Sequence, residues 1–158
     1  MKRAIIALAC ALALVHGCGA EREHPEPEAT LQPASEPARA WLSELKRAHA
    51  LADRATTPEA QREAAQVLAT LARAQPPVAF EASAAEPARQ DLFGRAADLL
   101  AQAGEPRRAL EWLDEGVTLR TPGPFFTQLV LQTAEVKAAL GDPAGAEAAR
   151  QVAARLLQ

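Results

Sequence analysis

Clusters of helix-breaking residues punctuate an otherwise alanine-laden chain, and their spacing constrains the fold more than any other feature. Thr56-Thr57-Pro58, Pro76-Pro77, Gly104-Glu105-Pro106, Thr121-Pro122-Gly123-Pro124 and Gly141-Asp142-Pro143 leave segments of helix length between them. Proline lacks an N–H and clashes with the preceding turn, so it suits the start of a helix; glycine suits the left-handed residue just past its end. Within the segments, apolar residues recur three and four apart: Trp41, Leu45, Ala48 and Ala52 in the first, Ala64, Val67, Leu68 and Leu71 in the second. A third helix is predicted from about Pro87 through Leu92, Ala96 and Leu99 to Gly104, and a fourth along Ala109, Leu113 and Val117. The fifth carries Phe126, Leu129, Val130 and Leu140, and the sixth Ala146, Ala149, Ala153 and Leu156. Alanine supplies 39 of 158 residues, Tyr is absent, and no β-branched or aromatic run alternates with polar residues, so the expected class is all-α. Short connections within each pair predict about three antiparallel helix hairpins.

Two of these pairs repeat at a constant offset of 37 residues. Leu92 matches Leu129, Phe93 matches Val130, Ala97 matches Ala134, Gly104-Glu105-Pro106 matches Gly141-Asp142-Pro143, and Gly116 matches Ala153. Ala97-Gly104-Ala109 and Ala134-Gly141-Ala146, with Phe93, Val130 and Leu113 at large apolar positions, resemble the tetratricopeptide repeat. The period exceeds that family's 34 residues, and Lys137, Arg150 and Thr56 stand where the family has other residues. The resemblance implies a short solenoid of stacked hairpins, with the first helix of each pair lining a concave surface. Asp91, Asp98 and Gln102 would line it in one repeat, and Gln128, Leu131 and Glu135 in the next. Such a surface is polar to acidic and suits a basic or amphipathic peptide segment. The alternative is a generic alanine-rich bundle whose solvated face binds nothing.

The N-terminus predicts an address. Lys2 and Arg3 precede an uncharged apolar run from Ala4 to Val15, the layout of a secretory signal. That run would make about 18 Å of helix, too short for a hydrocarbon core of roughly 30 Å. Val15-His16-Gly17-Cys18 resembles the lipobox of bacterial lipoproteins, with His16 where the family prefers a small residue. The resemblance implies cleavage before Cys18, lipidation of Cys18, and a membrane-anchored protein of the cell envelope; Gly19 looks like the outer-membrane sorting class. The other reading is cleavage after Ala20, which releases a soluble secreted chain. Cys10 would leave with the signal, so Cys18 would have no partner for an intrachain disulfide.

Residues 1–17 are thus expected to be a signal peptide and 18–36 a lipidated Cys with a tether, followed by one helical domain over 37–158. The stretch 19–36 holds five Glu and three Pro without an apolar period, which predicts a disordered spacer. Without Lys2 and Arg3, 15 basic residues stand against 20 acidic ones in no basic block, which argues against nucleic acid.

No motif for chemistry emerges. HExxH, GxSxG and the P-loop are absent, and Gly141-Asp142-Pro143-Ala144-Gly145 lacks the Lys-Ser/Thr that a phosphate loop needs. His49 borders an apolar face without Cys, His or carboxylate at ligand spacing, so packing is expected there and no metal. Asp114 and Glu115 are neighbours in sequence and point to different helix faces. No cofactor and no catalytic residue are assigned. Trp41 and Trp112 are expected to fill the core, with either Trp112 or its neighbour Leu113 partly exposed; Phe80 is expected to pin the loop from Pro76 to Glu86. The resulting expectation is a lipid-anchored, non-enzymatic scaffold that binds an envelope protein or peptide. A purely structural envelope bundle is the alternative, and an enzyme or enzyme accessory subunit comes last.

Overall fold

Proline opens four of the six helices and is the second residue of another. A computed structural model describes residues 35–78, 80 and 82–158. The expected signal, Cys18 and the expected tether up to residue 34 lie outside the described residues. The elements are α1 (Glu36–Arg54), α2 (Pro58–Arg73), α3 (Ala82–Gln102), α4 (Pro106–Thr118), α5 (Pro124–Ala139) and α6 (Pro143–Leu156). Among the described residues there is no strand, so the class is all-α.

Among the described residues, three helices carry side-chain caps. Ser35 Oγ accepts from the Ala38 N–H at 3.4 Å, Thr57 Oγ1 from Ala60 at 3.3 Å, and Asp142 Oδ1 from Gly145 at 2.8 Å. Each satisfies one of the orphan N–H groups of a first turn. The ends of α3 and α5 are built alike. Gly104 and Gly141 take φ of +83° and +80°, the left-handed region open to glycine. The N–H of Glu105 then reaches the Leu100 carbonyl at 2.8 Å, and that of Asp142 reaches Lys137 at 2.9 Å. Both are Schellman closures, and each hands the chain directly to the proline of the next helix.

The core is leucine set in alanine. Leu68, Leu92, Leu100, Leu113 and Leu129 are fully buried, and Ala64, Ala65, Ala69, Ala72, Ala96, Ala97 and Ala109 fill the spaces between them. Each buried leucine contributes roughly 1.5–3 kcal/mol, while the alanines let helix axes approach. Glycine extends that principle at Gly116, where an added Cβ would lie 2.9 Å from Leu129 Cδ1 and 3.0 Å from Phe93 Cβ. Helix α3 is the hub, packed on α2, α4 and α5.

Two expectations change. The third helix begins at Ala82 and not near Pro87, which therefore sits inside it. The segment around Pro87 is held from outside: Arg89 Nε donates to the Ala72 carbonyl at 2.6 Å, Thr121 Oγ1 bonds the Glu86 carboxylate, and buried Gln90 donates to the Thr121 carbonyl at 3.1 Å. Trp112 and Leu113 are both buried, at 5% and 0% exposure. The guanidinium of Arg73 lies 5.3 Å from the Trp112 ring centroid and that of Arg108 lies 5.1 Å away, so two charged side chains roof the indole. Phe80 packs its ring 4.8 Å from that of Trp41, fastening the α2–α3 loop to α1.

Candidate partner-binding surface

Residues 91, 95, 98 and 102 share one stripe of α3, because steps of three and four return to the same helix face. Each is joined to another helix. Asp91 Oδ2 lies 3.3 Å from His49 Nε2, and Arg95 Nη2 lies 2.7 Å from Asp53 Oδ1, both on α1. Asp98 Oδ1 accepts from Gln132 Nε2 of α5 at 2.9 Å, and Gln102 Oε1 accepts from Gln61 of α2 at 3.3 Å. Since 49 pairs with 91 and 53 with 95, α1 and α3 run in the same direction. On α2 and α4, Arg62 meets Glu105, Gln66 meets Arg108 and Arg73 meets Glu115, so these two are also parallel. Within the α1–α3 and α2–α4 pairs the separations in sequence are 42 or 43 residues.

Of the six residues expected to line a groove, three are therefore engaged between helices. Asp91 and Asp98 are half-buried, and Gln102 is exposed but bonded to α2. Gln128, Leu131 and Glu135 on α5 are exposed, Leu131 at 41%. Asp98 brings the two sets together, through Gln132 and through its proximity to Glu135. Burial raises the Asp98 carboxyl above its usual range; Arg95 pulls it down, Glu135 pushes it up again, and the Gln132 hydrogen bond pulls it down.

Further along the same face, α1 and α3 enclose an open cleft of about 560 Å³. Lys46, Asp53 and Asp91 supply its charge, His49 lies among them, and Leu45, Pro87 and Phe125 are among its apolar walls. Phe125 belongs to α5, so α1, α3 and α5 all contribute to one surface. His49 and Asp91 are two donors, and among the described residues no third Cys, His, Asp or Glu joins them to hold a metal ion. The surface offers carboxylates beside apolar side chains, which is recognition chemistry for a cationic, partly apolar segment.

Gln132 is the residue that sequence reasoning missed. It is 8% exposed, and its Oε1, facing the backbone at Gly94, has no hydrogen-bond partner among the described residues. The available signal was its place between Leu129 and Val136 on an apolar stripe, where a polar amide demands a buried partner. No helix of the described residues is long and apolar enough to cross a membrane. No protein-family model, curated protein or solved structure matches the chain.

Proposed function

We propose that this protein is a binding or assembly scaffold of the bacterial cell envelope, held to the outer membrane, facing the periplasm, by lipid on Cys18. In this reading the six helices are three hairpins stacked as a short tetratricopeptide-like solenoid. The parallel pairing of α1 with α3 and of α2 with α4 supports that stacking, as do the matching Schellman turns at Gly104 and Gly141. The face of α1, α3 and α5 takes a basic, amphipathic segment of an envelope protein.

One observation carries the reading: exposed Leu131 stands beside exposed Glu135 and half-buried Asp98, with the α1–α3 cleft continuing the same face. An apolar anchor rimmed by carboxylates gives a partner both a desolvated contact and a charge filter. The charges steer and select, and salt weakens them over a screening length of about 8 Å at physiological ionic strength.

The test is affinity capture from detergent-solubilised envelopes with the wild-type chain, Glu135→Lys and Leu131→Glu. These positions are exposed, so both variants keep the fold. A partner recovered by wild type and lost from both variants supports the surface; the same set of captured proteins from all three overturns it. Cys18→Ala tests the anchor separately, since unchanged membrane fractionation would remove it.

A further inference from the structure

The outer side of the first hairpin carries a second surface. Residues 44, 47, 48, 51 and 54 of α1 and 66, 67, 70, 71 and 74 of α2 line an open groove of about 690 Å³. Its floor is apolar: Val67 is 41% exposed, and Leu51 and Leu71 are each half-buried from beneath by the core. This stripe lies on the opposite side of α1 from Lys46, His49 and Asp53, so it is independent of the surface described above.

The charges around this groove differ from those between the hairpins. Arg62, Arg73, Arg95 and Arg108 each meet a carboxylate on another helix or on their own. Glu44, Arg47 and Arg54 line the outer groove, are exposed, and form no ion pair among the described residues. Arg54 bonds only the Ala50 carbonyl, through Nε at 2.9 Å, which leaves the outer nitrogens of its guanidinium available.

We propose that this groove is covered by a second copy of the chain, packed face to face about a two-fold axis that crosses α1 near residue 49. The order of charges along α1 is self-complementary about that point. A two-fold axis lying in the interface reverses the second α1, so Glu44 meets Arg54 of the partner subunit at both ends of the seam. Arg47 then lays its aliphatic stem over Leu51 of the partner subunit. The two α2 helices meet along Val67, Thr70 and Leu71, burying the apolar floor. A parallel arrangement would instead set Glu44 against Glu44 and Arg54 against Arg54. Centred near residue 49, the two α1 helices overlap over residues 44–54, about 15 Å, so a face two helices wide presents roughly 300 Å² per copy, below the size of a standard interface, and the dimer is a weak, reversible one.

Sedimentation equilibrium of the full chain in detergent tests this with wild type, Glu44→Arg, Arg54→Glu and the double variant, each checked for unchanged helical circular dichroism. Every version shares one N-terminus, so association through that end would not respond to the reversals. The expected result is a monomer–dimer equilibrium in the range of about 100 μM for wild type, weakened roughly tenfold by either single reversal. The double variant restores it, and mixing the two single variants yields heterodimers in preference to either homodimer. A wild-type chain that stays monomeric up to millimolar concentration overturns the proposal. Association indifferent to the single reversals overturns it too, as does a double variant weaker than both singles.

Discussion

Gly116→Ala sets two effects of similar size against each other, and the structure decides the sign. Alanine in a helix interior is favoured over glycine by about 0.8–1.0 kcal/mol, so on an open face of α4 the change would stabilise. Gly116 is not on an open face: the new Cβ would sit 2.9 Å from Leu129 Cδ1, 3.0 Å from Phe93 Cβ and 3.3 Å from Leu129 Cδ2. Leu129 and Phe93 are 1% and 2% exposed, so neither has free volume to retreat into, and Phe93 Cβ moves only if α3 moves. Forcing a methyl into such a site costs about 1–3 kcal/mol. The net expectation is a loss of about 1 kcal/mol, read by urea denaturation followed at the helical circular dichroism band. A second measurement isolates the cause. Leu129→Ala alone costs about 2–5 kcal/mol, but it empties the space that the new methyl needs. In that background Gly116→Ala should become neutral or stabilising, giving a coupling of about 1–2 kcal/mol in the double-mutant cycle. Stabilisation of about 1 kcal/mol in both backgrounds would refute the close approach of α4 to α5.

Three further outcomes follow from the same contacts. Asp98 has a folded pKa above its ordinary value of 3.8, so its contribution to stability is complete below that pH and is lost as pH rises through the folded value. Asp98→Asn, which still accepts from Gln132, should therefore gain on wild type between acid and neutral pH, as denaturation midpoints across that range would show. Glu105 behaves oppositely. Hydrogen bonds from Arg62 and then Arg108 lower its pKa below 4.5, so its contribution is present above that pH and lost as pH falls through the folded value. Glu105→Gln should be less stable than wild type at neutral pH, with the gap closing in acid. Phe80→Ala removes the ring against Trp41, worth about 0.5–1.5 kcal/mol beyond its burial, and should shift indole emission to longer wavelength; an unchanged spectrum and midpoint would deny the contact.

The elements that could be read in advance are those written locally. Pro58, Pro106, Pro124 and Pro143 start helices, and Gly104 and Gly141 end them, because each acts through its own backbone. The start of α3 could not be read, since Pro87 looks like a first residue and the residues on either side of it are held by Ala72 and Thr121, far away in sequence. Trp112 was ambiguous for the same reason, its cover coming from Arg73 on another helix. The repeat resemblance put Asp91 and Asp98 together on α3 but could not show that His49 and Gln132 would pair with them. Charge on a helix face says that water or a partner must satisfy it, and leaves open which.

Helix α1 is fastened differently from the rest. Its buried set is three alanines and one tryptophan, and beyond α2 it is held to α3 chiefly by two polar pairs at the surface. Amide hydrogens over 36–54 should therefore exchange well before those of the α2–α5 core. A pull applied at residue 35 would strip this helix away first, like tape lifted from one edge. The helices behind it would stay folded.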